Sequence, residues 1–146
     1  MSRLSQVTGD DYPDAALKHL QDAGALQGVD RHDGCSYLAG YVVECSLKAV
    51  LQVERGASSV PKGRRGHDLR SLRSQVAGIS RMAGARTSKY VTRAVLALQG
   101  ASIHKWSPGM RYQGPRATET DARGWLREAR EVYHGTVGAM RLDGLL

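Results

Sequence analysis

The most apolar stretch of the chain, "YLAGYVVECSLKAVL" at residues 37–51, carries a carboxylate, Glu44, and an ammonium group, Lys48. The two lie four residues apart, acid first, which is the favourable arrangement for a pair on one helix face. In water such a pair contributes only about 0.2–0.5 kcal/mol. Among apolar neighbours it is partly desolvated and needs further hydrogen-bond partners. The pattern therefore predicts a polar bracket that either fixes how neighbouring helices register or lines a polar pocket.

Basic residues are in excess. The 21 Lys and Arg against 14 Asp and Glu give a net charge of +7, which favours a polyanionic partner. We expect four side chains to neutralise nucleic-acid phosphates, namely Lys62, Arg64, Arg65 and Arg116. Tyr112 or Trp106 is expected to stack on a base, with packing in the core as the competing interpretation for both rings. For the charge, the competing interpretation is a surface that only keeps the protein in solution.

Helices must position these residues. Phe is absent, Thr and Ile are rare, and Ala and Leu are abundant, which predicts an all-α fold, in one domain over residues 1–146. The strongest helix is predicted from about Asp33 to Glu54, with an apolar surface broad enough for the centre of a bundle. Residues 101–118, with two prolines and no period, are predicted to form an ordered, functional loop. Other helices are predicted from near Pro13, after a His67 or Asp68 cap, over residues 88–100, and from Thr118 or Thr120.

The cysteines give no reason to expect a metal or a cofactor. Cys35 and Cys45 lie ten residues apart in the same predicted helix, roughly 15 Å along its axis, and cannot pair within one chain. There is no C-x-x-C motif and no histidine pair at zinc spacing, so we interpret both as small buried hydrophobic residues.

No apolar run reaches the roughly eighteen residues of a membrane span, and the amino terminus lacks a signal-like segment. We therefore expect no membrane association and a cytoplasmic location.

Four segments in this order, "YLAGYVVECSLKAVL", "GHDLRSL", "WSPGMRY" and "ARGWLREAREVY", resemble the HEPN domain (higher eukaryotes and prokaryotes nucleotide-binding) over about residues 12–137. The resemblance implies an up-and-down bundle of four to five helices, often dimerising, that handles RNA or nucleotides in toxin, antitoxin and defence systems. It assigns a polar cluster to Glu44, Lys48, His67, Asp68, Arg111 and Tyr112. The polar bracket is then expected to join the central helix to the His67 turn or to the Arg111 loop. For His67, an ordinary helix cap is the competing interpretation.

Ribonucleases of this family resemble one another in an Arg followed, after about four to six residues, by a His. Arg127 and His134, in "REAREVYH", have this spacing and would face nearly the same way on a helix. The resemblance thus implies a catalytic pair for metal-independent RNA cleavage, in which the imidazole moves a proton and the guanidinium steadies charge on phosphate. Chance competes with this interpretation, because 21 basic residues and five histidines readily produce such a match. In addition, no His follows Arg111 within reach.

Three functions stay open at this point. The first is a HEPN-type RNA- or nucleotide-binding protein, with or without ribonuclease activity, acting as a homodimer. The second is a non-catalytic helical module that docks a cognate nucleotidyltransferase or antitoxin. The third is a nucleotide held as a ligand by the polar bracket.

Overall fold

The chain folds into an all-α bundle, as the composition predicts. The computed structural model describes residues 1–5 and 9–146, and regular structure within these ranges is exclusively helical. The α-helices are, in chain order, α1 Tyr12–Gly28, α2 His32–Arg55, α3 Gly63–Gly66, α4 Leu69–Ile79, α5 Arg93–Ala97, α6 Glu119–Tyr133 and α7 Ala139–Leu142. None of the helices in the described ranges is long and apolar enough to cross a membrane.

Helix α2 forms the centre of the bundle. It packs against α1, α4 and α6, and every residue from Val42 to Gln52 is buried. This agrees with the predicted central helix, whose apolar residues cover most of its circumference. Glu44 and Lys48 therefore lie inside the protein, and their charges must be compensated there.

Side-chain caps begin the long helices that surround α2. Asp11 accepts a hydrogen bond from the Asp14 amide at the start of α1. Thr118 and Asp121 form a reciprocal capping box at the start of α6. At α4 the cap is Asp68, whose carboxylate accepts from the amides of Arg70 and Ser71. The interpretation of His67 as the cap is wrong, and its imidazole makes a different contact.

The predicted helix over residues 88–100 is broken. It consists of a 3-10 turn at Ser88–Tyr90, the short α5, and a second 3-10 turn at Leu98–Gly100. Thr92 explains the interruption, because its backbone is extended and its hydroxyl accepts from the Val95 amide, which starts a new helix. The apolar spacing of this segment still serves the core, since Tyr90, Val95 and Leu98 are buried.

Trp106 ties the loop before α6 to the central helix. Its indole Nε1 donates to the carbonyl of Tyr37 at 2.8 Å, and its side chain is buried. A Cβ at Gly40 would lie 2.1 Å from the indole, so α2 needs a glycine at this point. The expectation that Trp106 stacks on a base is wrong, because the ring is enclosed. Residues 101–118 form an ordered loop built on two 3-10 turns, Ser102–Lys105 and Pro108–Tyr112.

Cys35 and Cys45 are both buried and free. Burial, with the nearby Glu44 carboxylate adding to it, raises the pKa of the Cys45 thiol to about 12. A thiol of this kind is a packing group and not a nucleophile at neutral pH.

Candidate functional site

A buried acid, a buried base and a half-exposed imidazole form one hydrogen-bonded group, which we name the polar centre (Glu44, Lys48 and His67). Lys48 Nζ lies 2.7 Å from Glu44 Oε1, and His67 Nδ1 lies 2.8 Å from Glu44 Oε2. The Glu44 and Lys48 side chains are only 4% and 7% exposed, whereas the His67 side chain is 40% exposed. Both carboxylate oxygens therefore have a partner, and the imidazole is the one member of the polar centre that reaches solvent.

The Glu44 carboxylate also fixes the tautomer of His67. A carboxylate oxygen accepts, so Nδ1 carries the hydrogen and donates it. In neutral His67 the second nitrogen, Nε2, is then an acceptor. Lys48 Nζ, held on the other oxygen, lies 5.2 Å from the centre of the Tyr12 ring, a cation–π contact that helps to compensate its burial.

The turn that carries His67 is pressed against α2. A Cβ at Gly66 would lie 2.6 Å from the Pro61 carbonyl oxygen and 3.3 Å from Lys48 Nζ. A larger residue at position 66 would push the turn away from the ion pair. Pro61 and Gly66 of "SSVPKGRRG" thus set the distance between His67 and Glu44.

A pocket of about 650 Å³ opens over the polar centre and is lined by His67 together with residues of α1, α2 and the α3 turn. We call it the polar-centre pocket. Lys18 and Lys62 contribute cations to its wall, and Asp10, Asp11 and Asp14 contribute carboxylates. Asp11 accepts from the backbone and hydroxyl of Ser2, and Asp14 pairs with Arg141 and the terminal amino group. Arg64 and Arg65 are exposed on α3.

Arg111 lies in a different place from the polar centre. It lines a second pocket of about 530 Å³, which we call the arginine pocket, together with Lys105 and Arg116. The guanidinium lies 4.9 Å from the centre of the Tyr112 ring, which is 81% exposed. Hydrogen bonds to the hydroxyls of Tyr112 and Tyr37 raise the pKa of Arg111. The polar bracket was predicted to join the central helix to the His67 turn or to the Arg111 loop. The structure shows the contact with His67, and no contact joins Glu44 to Arg111 within the described residues.

The wall of the arginine pocket mixes cations with aromatic and apolar groups. Trp125, Tyr37 and Met110 line it, and the Trp125 indole donates to the Ser102 hydroxyl at 2.8 Å. Asp33 also lines it, but its Oδ1 accepts from the backbone amides of Arg116 and Ala117. These bonds are the main reason that the pKa of Asp33 is lowered. The Asp33 carboxylate thus fixes the loop instead of pairing with a cation.

The two pockets adjoin along α2. Tyr37 lines the arginine pocket and Tyr41 lines the polar-centre pocket, and their hydroxyl oxygens are 3.2 Å apart. Burial, and then the hydrogen bond to Tyr37, raises the pKa of Tyr41. From Tyr37 to Glu44 the helix rises by about 10 Å. A stripe at positions 37, 41, 44 and 48 of α2 thus connects the pockets.

The predicted catalytic pair is not brought together with these pockets. Arg127 and His134 are both exposed, two helical turns and about 10 Å apart along the axis, and no contact joins them within the described ranges. Arg127 lines a groove with Glu128, a carboxyl whose pKa is raised by burial, and this groove shares Ser102 and Asp121 with the arginine pocket. His134 stacks edge-on against Tyr133 at the start of a π-helical turn, His134–Gly138, which joins α6 to α7.

Sequence reasoning missed Tyr37, Tyr41, Lys105 and Trp125 as pocket residues. The signal for the tyrosines was present, since 37, 41, 44 and 48 alternate in steps of four and three, which places them on one face of a helix. Lys105 and Trp125 carried no such signal, because their place depends on how the loop folds over α2. Among the described residues, no group of three or more His, Cys, Asp or Glu side chains is arranged to hold a metal ion.

Comparison with family models, with curated proteins and with solved structures finds no match to this chain. Function must therefore be inferred from the chain's own residues and their geometry.

Proposed function

We propose that this chain is an RNA-binding protein of the HEPN type, and that it binds single-stranded RNA along the face of α2 that carries the two adjoining pockets. One observation carries the proposal. Five cations line these pockets, and none of them forms an ion pair with a carboxylate within the parts of the chain that the structure describes: Lys18, Lys62, Lys105, Arg111 and Arg116. Arg64 and Arg65 follow Lys62 on the exposed α3 turn, between two residues that line the polar-centre pocket, Gly63 and His67.

Unpaired cations are what a phosphate backbone requires. Each phosphate contact releases a counterion, which makes binding strongly dependent on salt. Lys89 and Arg141 are already engaged by Asp143 and Asp14, whereas the cations that line the pockets have no carboxylate partner within the described residues. The cations around the pockets are exposed at residues 62–65 and 105–116, on the segments that frame the α2 face.

Aromatic groups beside the cations favour single strands. Tyr112 is exposed and Arg111 lies against its ring, a combination on which an unstacked base packs. Stacking of this kind contributes about 1–3 kcal/mol per base. The arginine pocket, with Tyr37 and Trp125 in its wall, has room for a second base. Duplex RNA would present neither base to these rings.

The resemblance to the HEPN domain supports the same ligand class and adds three expectations: a homodimer, ribonuclease activity, and a cognate antitoxin or nucleotidyltransferase as partner. Arg127 and His134 remain the prediction of the sequence motif for the catalytic pair. The docking of a partner protein without RNA binding is the competing function, and it predicts a different outcome in the following experiment.

The test is a titration of fluorescently labelled, unstructured single-stranded RNA, measured by anisotropy over a range of salt concentrations. A variant with Lys62→Ala, Arg64→Ala and Arg65→Ala should bind more weakly, and its slope of log affinity against log salt should fall by about 0.7 for each phosphate that it no longer neutralises. The matched control removes the same charge elsewhere, with Arg81→Ala, Arg86→Ala and Arg93→Ala, which lie on a segment that contributes no residue to either pocket.

Equal losses of affinity in the two triple variants would show that net charge alone attracts RNA, and would contradict the proposed face. Absence of RNA binding at physiological salt would overturn the proposal. A stable complex with a neighbour-encoded antitoxin or nucleotidyltransferase would then favour the docking module. Thermal stabilisation that rises with ATP or GTP concentration, without RNA binding, would favour a nucleotide ligand.

A further inference from the structure

We infer that His67 is a catalytic residue for RNA cleavage in the polar-centre pocket, acting through Nε2 as the base that takes a proton from a ribose 2′-hydroxyl, with Glu44 and Lys48 as positioning residues. This inference rests on the proposed RNA binding and names the atom at which the bound RNA reacts. It differs from the prediction of the sequence motif, which assigns the chemistry to Arg127 and His134.

The geometry around His67 is that of an oriented base. Glu44 Oε2 accepts from Nδ1 at 2.8 Å, which sets both the tautomer and the direction of the ring. Glu44 cannot turn away, because its other oxygen is held by Lys48 at 2.7 Å and the side chain is enclosed by α2 and its neighbours. Nε2 therefore lies on the side of the ring opposite the buried carboxylate, and His67 lines the pocket.

The other histidine of the pocket lacks this arrangement. His19 lines the same pocket and packs 5.3 Å from the Tyr41 ring, but its Nδ1 is buried with no hydrogen-bond partner among the described residues. His134 is exposed on the surface, and the Tyr133 ring is its neighbour. Of the three imidazoles, His67 is the one that a carboxylate holds in a single orientation.

The reaction needs no cofactor. Nε2 of His67 takes the proton of the 2′-hydroxyl, the 2′-oxygen forms a bond to phosphorus, and the bond from phosphorus to the 5′-oxygen breaks. The leaving 5′-oxygen takes a proton from water, and His67 returns its own proton to solvent. The products are a 2′,3′-cyclic phosphate and a 5′-hydroxyl, and no atom is oxidised or reduced.

Cations are available for the phosphate that reacts. Lys18 and Lys62 line the same pocket and form no ion pair with a carboxylate within the described ranges. A cation near the phosphate stabilises the negative charge that develops as the 2′-oxygen attacks. Lys48 is enclosed and bonded to Glu44, so it acts by holding the carboxylate and does not touch the RNA.

The decisive variant is His67→Asn. The asparagine amide occupies the place of Nδ1 and can still donate to Glu44, but it has no atom at the place of Nε2. We expect it to retain the melting temperature and the RNA affinity of the wild type and to cleave about 10²–10⁴-fold more slowly. His67→Gln, which puts an amide near the place of Nε2 without a base, should lose cleavage to the same extent and serves if the asparagine variant does not fold.

Three comparisons complete the experiment. Wild-type protein with chelator should yield 2′,3′-cyclic phosphate ends, and RNA with a 2′-deoxy nucleotide at the cleavage position should stay intact. The variant Arg127→Ala with His134→Ala tests the competing catalytic pair of the sequence motif, which predicts that cleavage is lost in this variant and kept in His67→Asn. Affinity is measured in every case on 2′-O-methyl RNA, which binds but cannot react.

The possible results are distinguishable. Full cleavage by His67→Asn, or loss of cleavage in the Arg127 and His134 variant alone, would overturn the assignment to His67. Binding of 2′-O-methyl RNA without any cleavage of RNA by the wild type would also overturn it, while the proposed RNA binding stands. Failure of the wild type to bind 2′-O-methyl RNA would instead contradict the proposed function.

Discussion

Replacing Lys48 by methionine tests whether the pair with Glu44 is buried in solution. Methionine keeps the length and apolar character of the lysine stem and removes the charge. Glu44 would then keep a buried carboxylate with His67 as its remaining partner, since the bond from Lys48 Nζ to Oε1 is removed. Breaking a buried pair costs about 3–5 kcal/mol, because the remaining charge is left uncompensated. His67 still satisfies Oε2, so we expect the lower end, about 3 kcal/mol.

The chain offers a matched control. Glu119 and Arg123 form an ion pair with the same i,i+4 spacing on α6, but their side chains are 52% and 70% exposed. Such a pair contributes about 0.3–0.5 kcal/mol, so Arg123→Met should cost no more than that. The two variants differ in the burial of the pair and not in its spacing, which isolates desolvation as the cause.

The assay is urea denaturation followed by far-UV circular dichroism. A loss of about 3 kcal/mol also lowers the melting temperature by about 6–12 °C in a domain of this size. The double variant of Glu44→Gln with Lys48→Met should lose less stability than the sum of its single variants, because neither charge is then left alone. If Lys48→Met lowered the free energy of unfolding by less than about 1 kcal/mol, a loss comparable with that of Arg123→Met, the Glu44–Lys48 pair would be exposed to solvent and its burial would be contradicted.

Two further predictions concern packing and pH. Gly40→Ala should destabilise the protein by about 1–3 kcal/mol and change the fluorescence of Trp106, because the new Cβ meets the indole. The control is Gly124→Ala in α6, which has open space around it and should stabilise the protein by about 0.5–1 kcal/mol. Equal effects of the two substitutions in urea denaturation would contradict the contact between position 40 and Trp106. Burial, together with two nearby guanidinium groups, lowers the pKa of His104, so the unfolded chain binds this proton more readily than the folded protein. The contribution of His104 to the free energy of unfolding should be fully present above the ordinary histidine pKa of about 6.5 and should be lost as the pH falls below it. His104→Gln should lose less stability than the wild type between about pH 7.5 and pH 5.5, and an unchanged difference between the two would contradict this cause.

The sequence predicts the central helix well because its signal is local. An apolar surface around α2 and two charges four residues apart are visible in one window, and burial of Glu44 follows from them. The sequence does not reveal which neighbour compensates the pair. That choice depends on the turn at Gly66, whose missing Cβ lets His67 approach, and such a distance is set by tertiary structure.

Two predictions from the sequence were wrong, the unbroken helix over residues 88–100 and the stacking role of Trp106, and both depend on contacts that the apolar periodicity does not show. The periodicity of residues 88–100 is real, but a single hydroxyl at Thr92 competes with the helix for backbone amides. The burial of Trp106 depends on Gly40, which lies 66 positions earlier in the chain, so no local window shows it. A glycine in the middle of a strongly apolar helix was the one sequence feature that could have indicated a close approach.

Binding of RNA along the α2 face between the two pockets underlies both proposals, and an NMR titration of isotope-labelled protein with 2′-O-methyl RNA would locate the bound strand. We predict that resonances of Tyr37, Tyr41, His67 and Arg111 shift together and saturate at one concentration, while those of Arg127 and Glu128, which line neither pocket, do not move. Shifts confined to the Arg127 groove, or no saturable shift at any of these residues, would contradict binding at this face.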